Sequence, residues 1–237
     1  MPAISSAIDP QTLDCVAVKW AAAFRLRPMA MPSAPTLAVL GEDEQDLLSL
    51  IDVRSPRARH DTGAARHNFT HHALMPSAVR SAFAHPSPEW RFALSATPHM
   101  VVCQNIRAAV CTASEQYGQF LKDTEQAACQ LSFAMERYVL SGDFFDARDT
   151  DTFSACYGPH ALDGRASAAQ DLVADLGAQG ADGLLYTTDE GSCAVVLNPD
   201  CVRVYAKERA LAMQWDGNEF TRYFDYRDLH WVGLSSG

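Results

Sequence analysis

The segment Leu176–Gly217, LGAQGADGLLYTTDEGSCAVVLNPDCVRVYAKERALAMQWDG, constrains the fold more than any other part of the chain. It reads as a helix end and a Gly-rich turn followed by a buried strand, Gly183–Tyr186. Apolar runs this short between turn residues are strand material and too brief for a helix. A polar turn leads to a second strand, Cys193–Leu197, which Asn198-Pro199 stops because proline cannot continue a ladder. A Trp-Asp-Gly tag closes the segment. Bland globular chains rarely concentrate so much turn chemistry between two short apolar strands.

The rest of the chain supplies mixed elements. Val16–Leu26, with Trp20 and Phe24 on one helical face, reads as a helix that Pro28, Pro32 and Pro35 end. Glu42–Val53 has an acidic first turn and helical apolar spacing. Met100–Asn105 reads as a strand, Ile106–Lys122 as a helix with apolar positions 106, 109, 110, 113, 117, 120 and 121, and Gln130–Leu140 as a strand. Phe144–Asp163 reads as loop, Ala166–Leu176 as an Ala-rich helix ending at Gly177, and Val202–Tyr205 and Phe220–Phe224 as late strands. Residues 1–15 read as a flexible leader and 16–237 as one α+β domain. Within that domain 54–88 forms a long polar loop, a length that loops reach mainly for function or by being disordered.

Composition excludes several classes. A formal charge of −10 and the absence of a basic stretch argue against direct nucleic-acid binding. No apolar run nears the ~20 residues of a spanning helix, and the amino terminus has no basic-then-apolar signal, so a cytoplasmic setting is expected. Seven cysteines are scattered without a C-x-x-C pair, which favours reduced, mostly buried thiols. His60, His67, His71, His72, His85 and His99 match no metal-ligand spacing and read as polar loop histidines, so no metal is expected. No G-x-S-x-G elbow, P-loop or G-x-G-x-x-G is present. Cys111 and Cys156 lack a context that would activate them, and buried structural thiols are the common case.

One constellation does suit chemistry: Trp90-Arg91-Phe92, the strand Val101–Gln104, and Glu115 on the next helix. A guanidinium fork matches phosphate oxygens, and a carboxylate can stabilise an oxocarbenium-like centre as a glycosidic bond breaks. The plain reading is that Arg91 is a surface cation and Glu115 a solvated helix residue.

These pieces, in this order, resemble the RES-domain family, named for Arg, Glu and Ser at its site. Arg91-Phe92, the strand Val101–Gln104, Cys111-Thr112-Ala113 and Glu115 are similar to its first motif, and Ala82-Phe83-Ala84-His85 to its Phe-Thr-His segment. QLSFAMERYVLSGDFFDAR follows as the family's strand and turn do. GADGLLY, the Cys-Ala-Val-Val strand, Asn-Pro and WDG resemble its closing part. RLRP at Arg25–Pro28 and the acidic helix also have counterparts, so the likeness covers residues 20–226.

The resemblance implies an ADP-ribosyltransferase-like fold, a split, mostly antiparallel sheet with flanking helices, holding NAD as substrate in its cleft. It implies a toxin that degrades NAD, by phosphorolysis among other routes, or ADP-ribosylates a target protein, and that is blocked by a cognate antitoxin protein. Carried over, Arg91 holds the NAD phosphates, Glu115 assists cleavage at the nicotinamide ribose, and Thr187 or Thr188 stands at the family's Ser. Thr188 then joins Arg91 and Glu115 as catalytic, while Phe92, Gln104, Tyr186 and Thr187 join Arg91 in binding NAD.

The chain departs from the pattern at Gln104, which replaces the family's Tyr, at the longer turn ALSATPH, and at Asp189-Glu190, where the family carries an Arg. Gln104 cannot stack on nicotinamide as an aromatic does, and the two acids would repel a pyrophosphate. Two other readings follow: a RES-fold protein that binds a protein or another ligand without turning NAD over, and an unrelated globular domain, with the His-rich loop binding a metal.

Overall fold

A single long strand, Cys129–Asp146, organises the sheet, and the computed structural model describes it together with the rest of residues 12–29, 98–148 and 166–234. In chain order the elements are β1 (Asp14–Pro28), β2 (Met100–Cys103), α1 (Ile106–Asp123), β3 (Cys129–Asp146), α2 (Ala166–Ala178), β4 (Gly183–Thr188), β5 (Gly191–Val196), β6 (Val202–Trp215), β7 (Phe220–Asp225) and β8 (His230–Gly233). This is a sheet-rich α+β fold. The strands run β1-β2-β5-β4-β3-β6-β7-β8, and β1 also pairs β3, so the first five strands close on themselves.

β3 can serve so many neighbours because it is long. One edge takes β1 from Asp14↔Asp146 to Pro28↔Phe133. The other takes β6 from Cys129↔Trp215 to Leu140↔Val202, then β4 at Phe145↔Leu184 and Asp146↔Leu185. The sheet therefore forks at β3. The β3–β4 pair is parallel and all other pairs are antiparallel. A parallel pair needs a crossover, and α2, packed on β4, lies in that connection.

α1 lies against β1, β2 and β5, burying Ala108, Ala109, Val110, Thr112, Ala113, Tyr117, Gly118 and Leu121. Its second half reaches an aromatic cluster: the Tyr117 and Phe133 rings are 5.3 Å apart, and a Cβ on Gly118 would stand 3.6 Å from Trp215. Trp215 is fully buried and donates from Nε1 to Gln126 O at 2.8 Å. Asp216 beside it accepts from Asn218 N and Glu219 N, both at 2.8 Å, so the WDG sequence is the corner between β6 and β7.

Several expectations are corrected. Val16–Leu26 is the heart of β1 and not a helix. Between Trp20 and Ala23 the register slips against β3, with Ala21 and Ala22 facing one partner residue; this bulge breaks the two-residue alternation that would mark a strand. β1 also starts inside the expected leader, with Asp14 and Cys15 paired to Asp146 and Phe145. β3 continues through Phe144–Asp146, where a loop was expected, and β6 runs on to Trp215. β8 carries no strand signal of its own beyond a Trp-Val pair. The expected helix Glu42–Val53 and the expected loop 54–88 lie outside the described residues.

Candidate functional site

Of the expected site residues, Tyr186, Thr187 and Thr188 lie on β4, in the β4–β5 hairpin that meets the amino end of α1, and Asn105 builds that meeting. Its side-chain oxygen accepts from Ala108 N at 2.9 Å, capping the helix, while its Nδ2 donates to Glu190 O at 2.8 Å. Two residues later Arg107 grips the Glu190 carboxylate, Nε–Oε2 at 2.9 Å and Nη2–Oε1 at 3.0 Å, as a two-pronged pair. Gly191 makes room: its φ of +139° and the Asn105 amide beside it leave no place for a Cβ. Thr188 closes the turn by donating from its hydroxyl to Gly191 O at 3.0 Å.

These contacts decide what the hairpin offers a ligand. Thr188 is half-buried, with its proton already committed to the turn, and Thr187 is exposed. Arg107 answers the negative charge of Glu190, so the acid that would repel a pyrophosphate is partly neutralised. Gln104 is exposed at the end of β2, its backbone N–H bonded to Ser192 O at 2.8 Å. Arg91 and Phe92 lie outside the described residues.

Glu115 stands half-buried on α1, one turn beyond Cys111 and Thr112. Its charge is felt by three thiols. Burial, with Glu190 and Glu115 nearby, pushes the Cys111 thiol up to about 11, which keeps it protonated near neutral pH and rules out a ready nucleophile there. Burial likewise drives Cys103 well up, with Glu115 adding to it. Cys193 is drawn down instead, first by its hydrogen bond with Cys103 and then by Thr112 and Tyr186.

Those residues form a row across the sheet. Phe24 pairs Cys103, Cys103 pairs Cys193, and Cys193 pairs Tyr186 on β1, β2, β5 and β4, so all four side chains share one face. Tyr186 is 1% exposed and presents no ring face to solvent. A small cavity of about 30 Å³ abuts the row, lined by Phe24, Arg25, His99, Cys103, Thr112 and Gln116 among others. Ligand pockets for drug-sized molecules run to hundreds of Å³ (about 300 upward), so this one holds a water-sized guest.

The remaining signature motifs meet at a second corner. Asp182 of the GADG turn accepts from Asn198 Nδ2 and from Asp143 N, each at 2.8 Å, while its carbonyl receives Leu197 N at 2.9 Å. Gly183 must stay bare, since a Cβ there would run into Val195 O and the Phe144 ring. GADG and Asn-Pro are thus two halves of one structural joint, about which the ends of β3, β4 and β5 are fixed.

Sequence reasoning missed a buried charge cluster on β1 and β3. Glu136 is fully buried; it pairs with Arg27 Nε at 2.9 Å and Arg25 Nη1 at 3.8 Å, and accepts from the Tyr138 hydroxyl at 2.7 Å. Burial first, and then Glu136, push the Tyr138 phenol well above its usual range. The signal was available: two arginines of RLRP two residues apart share one face of a strand, though not of a helix. Asn105 was also legible, as a cap residue directly before a helical apolar pattern. Among the described residues no group of three or more His, Cys, Asp and Glu is placed to hold a metal, and the described histidines are His99 and His230. No described helix is long and apolar enough to cross a membrane. No protein-family model matches this chain, and no curated protein matches it.

Proposed function

We propose that this chain is a binding module of RES-like, ADP-ribosyltransferase-like kind that does not turn NAD over. The observation that carries the reading is prior engagement of the hairpin: the Thr188 hydroxyl serves its own turn, Glu190 occupies Arg107, and Tyr186 is buried beside its strand partner Cys193. An NAD-cleaving cleft needs donors left free for the moment when charge develops. The partner is a protein, in the role the resemblance gives an antitoxin. It would meet the outer strands β7 and β8, where Tyr226 and Trp231 are exposed and Arg222 lies 4.5 Å over the Trp231 ring. Aromatic and arginine side chains are the groups enriched at protein contacts.

The second reading, an NAD-consuming enzyme, is favoured by one observation: Glu115 is half-buried on α1, close enough to Cys103 at the end of β2 for its charge to bear on that thiol. In it Arg91 holds the phosphates and Glu115 assists cleavage. Incubating the purified chain with NAD, with and without phosphate, separates the two. We expect NAD to persist at the rate of the Arg91→Ala and Glu115→Gln controls. Consumption above both controls would replace the binding-module reading with the enzymatic one.

A further inference from the structure

We propose that Cys103 and Cys193 form an intramolecular disulfide across β2 and β5, made when a peroxide oxidises the pair. The backbone is already set for it. Gln104 donates to Ser192 O at 2.8 Å, which makes 104↔192 the hydrogen-bonded pair and 103↔193 the non-bonded one. At such positions Cα atoms of opposite residues sit about 4.5 Å apart with side chains close, inside the window a disulfide accepts.

The side chains are set as well. The two sulfurs are 2.7 Å apart as free thiols, and Thr112 holds both, its Oγ1 3.4 Å from Cys103 and 3.8 Å from Cys193. The pair is buried at 1% and 0% exposure, which excludes bulky oxidants. The cavity of about 30 Å³ that ends on Cys103 and Thr112 admits a molecule of hydrogen peroxide's size. Two separate features, register and cavity, thus converge on one pair, while Cys15, Cys111, Cys129 and Cys201 carry no such register partner.

The chemistry balances. Whichever sulfur attacks, an S–O bond forms as the O–O bond breaks, and hydroxide leaves with the electron pair and takes up the thiol proton as water. The second sulfur then displaces the oxygen of the sulfenic acid, the S–S bond forms, and a second water departs with the remaining thiol proton. Two thiols and one peroxide become one disulfide and two waters. The link would join strands ninety positions apart in sequence, on the face covered by α1.

The test uses the full-length purified chain, reduced and then exposed to a small excess of hydrogen peroxide. Free thiols are trapped with a maleimide in denaturant, and the protein is mapped by mass spectrometry without reduction. We expect five maleimide additions where the reduced chain takes seven, one crosslinked peptide pair holding Cys103 and Cys193, and an unfolding temperature several degrees above the reduced form, reversed by a dithiol reductant. Cys111→Ser should keep the link and Cys193→Ser should lose it. Should Cys193→Ser fail to fold, the wild-type peptide map alone decides. Full maleimide labelling of both residues after peroxide, a link between other cysteines, or oxidation of Cys103 or Cys193 to the sulfinic acid would each overturn the proposal.

Discussion

Asn105 holds two pieces of backbone at once, and its neighbour Arg107 adds a charge pair to the same joint; the two contributions differ in size for a physical reason. An N-cap replaced by alanine costs about 1 kcal/mol, and the lost bond to Glu190 O adds a similar amount, since the carbonyl is tied to a defined turn. The Arg107 side chain is 61% exposed, so water and salt screen its pairing with Glu190. Asn105→Ala should therefore lower stability by about 2 kcal/mol, and Glu190→Gln by about 0.5 kcal/mol. Urea unfolding with unchanged slope measures both. Equal losses would mean that the ion pair, not the cap, fastens the hairpin. Asp225 supplies a pH-dependent counterpart. Burial opposes its charge, yet the hydrogen bond from Arg209 at 2.5 Å and the Arg227 N–H at 2.9 Å hold its carboxyl below the usual range. A carboxylate with a depressed folded-state pKa stabilises the fold above its unfolded value of about 3.9, and that contribution fades as pH falls through the folded value. Asp225→Asn should thus be clearly less stable than the parent at pH 7, and the gap in urea midpoint should narrow progressively as pH falls below about 3.9. A gap that stays constant with pH would show that the residue acts by shape alone.

At the scale of elements, what the sequence discloses depends on whether the local signal and the tertiary demand agree. α1, α2, β4 and β5 are legible because their apolar spacing, caps and turns all point one way. β1 is not, because Ala21-Ala22-Ala23 has helical propensity and the bulge there removes the alternation; pairing along β3 overrides both. The length of β3 was hidden for a similar reason, since Ser141-Gly142 reads as a stop, yet Gly142 passes close to Asp182 and Cys201, where a side chain would collide. The site divides in the same way. Turn residues such as Asp182, Asn198 and Asp216 announce themselves by type, and the structure spends them on joints between strands. Glu115 drew notice as part of a constellation with Arg91, and only the resemblance gave it a role, because a lone carboxylate on a helix has no distinguishing spacing. Glu136, buried with two arginines, escaped because its partners lie more than a hundred residues away in sequence.

For the whole molecule, the forked sheet predicts an order of opening. β3 is hydrogen-bonded on both edges, to β1 on one side and to β6 and then β4 on the other, and Phe133, Met135, Tyr138, Leu140 and Phe144 along it are buried. Such backbone exchanges its amides only when the fold opens globally. The ring of β1-β2-β5-β4-β3 is joined at β1–β2 by one registered pair, Phe24↔Cys103, which makes that seam the weakest link of the closed part. β8 is four residues long, largely exposed, and bonded to β7 alone among the described strands. Native-state hydrogen exchange should therefore rank the strands: slowest in β3 and the stretch of β1 beside it, intermediate in β4, β5 and β6, fastest in β8. Slow exchange in β8 matching that of β3 would contradict the ranking and point to further protection of that edge. Exchange in β2 also ties the ranking to the thiol pair. If peroxide joins Cys103 to Cys193, the seam gains a covalent neighbour, and amides of β2 and β5 should slow while those of β8 stay as they were.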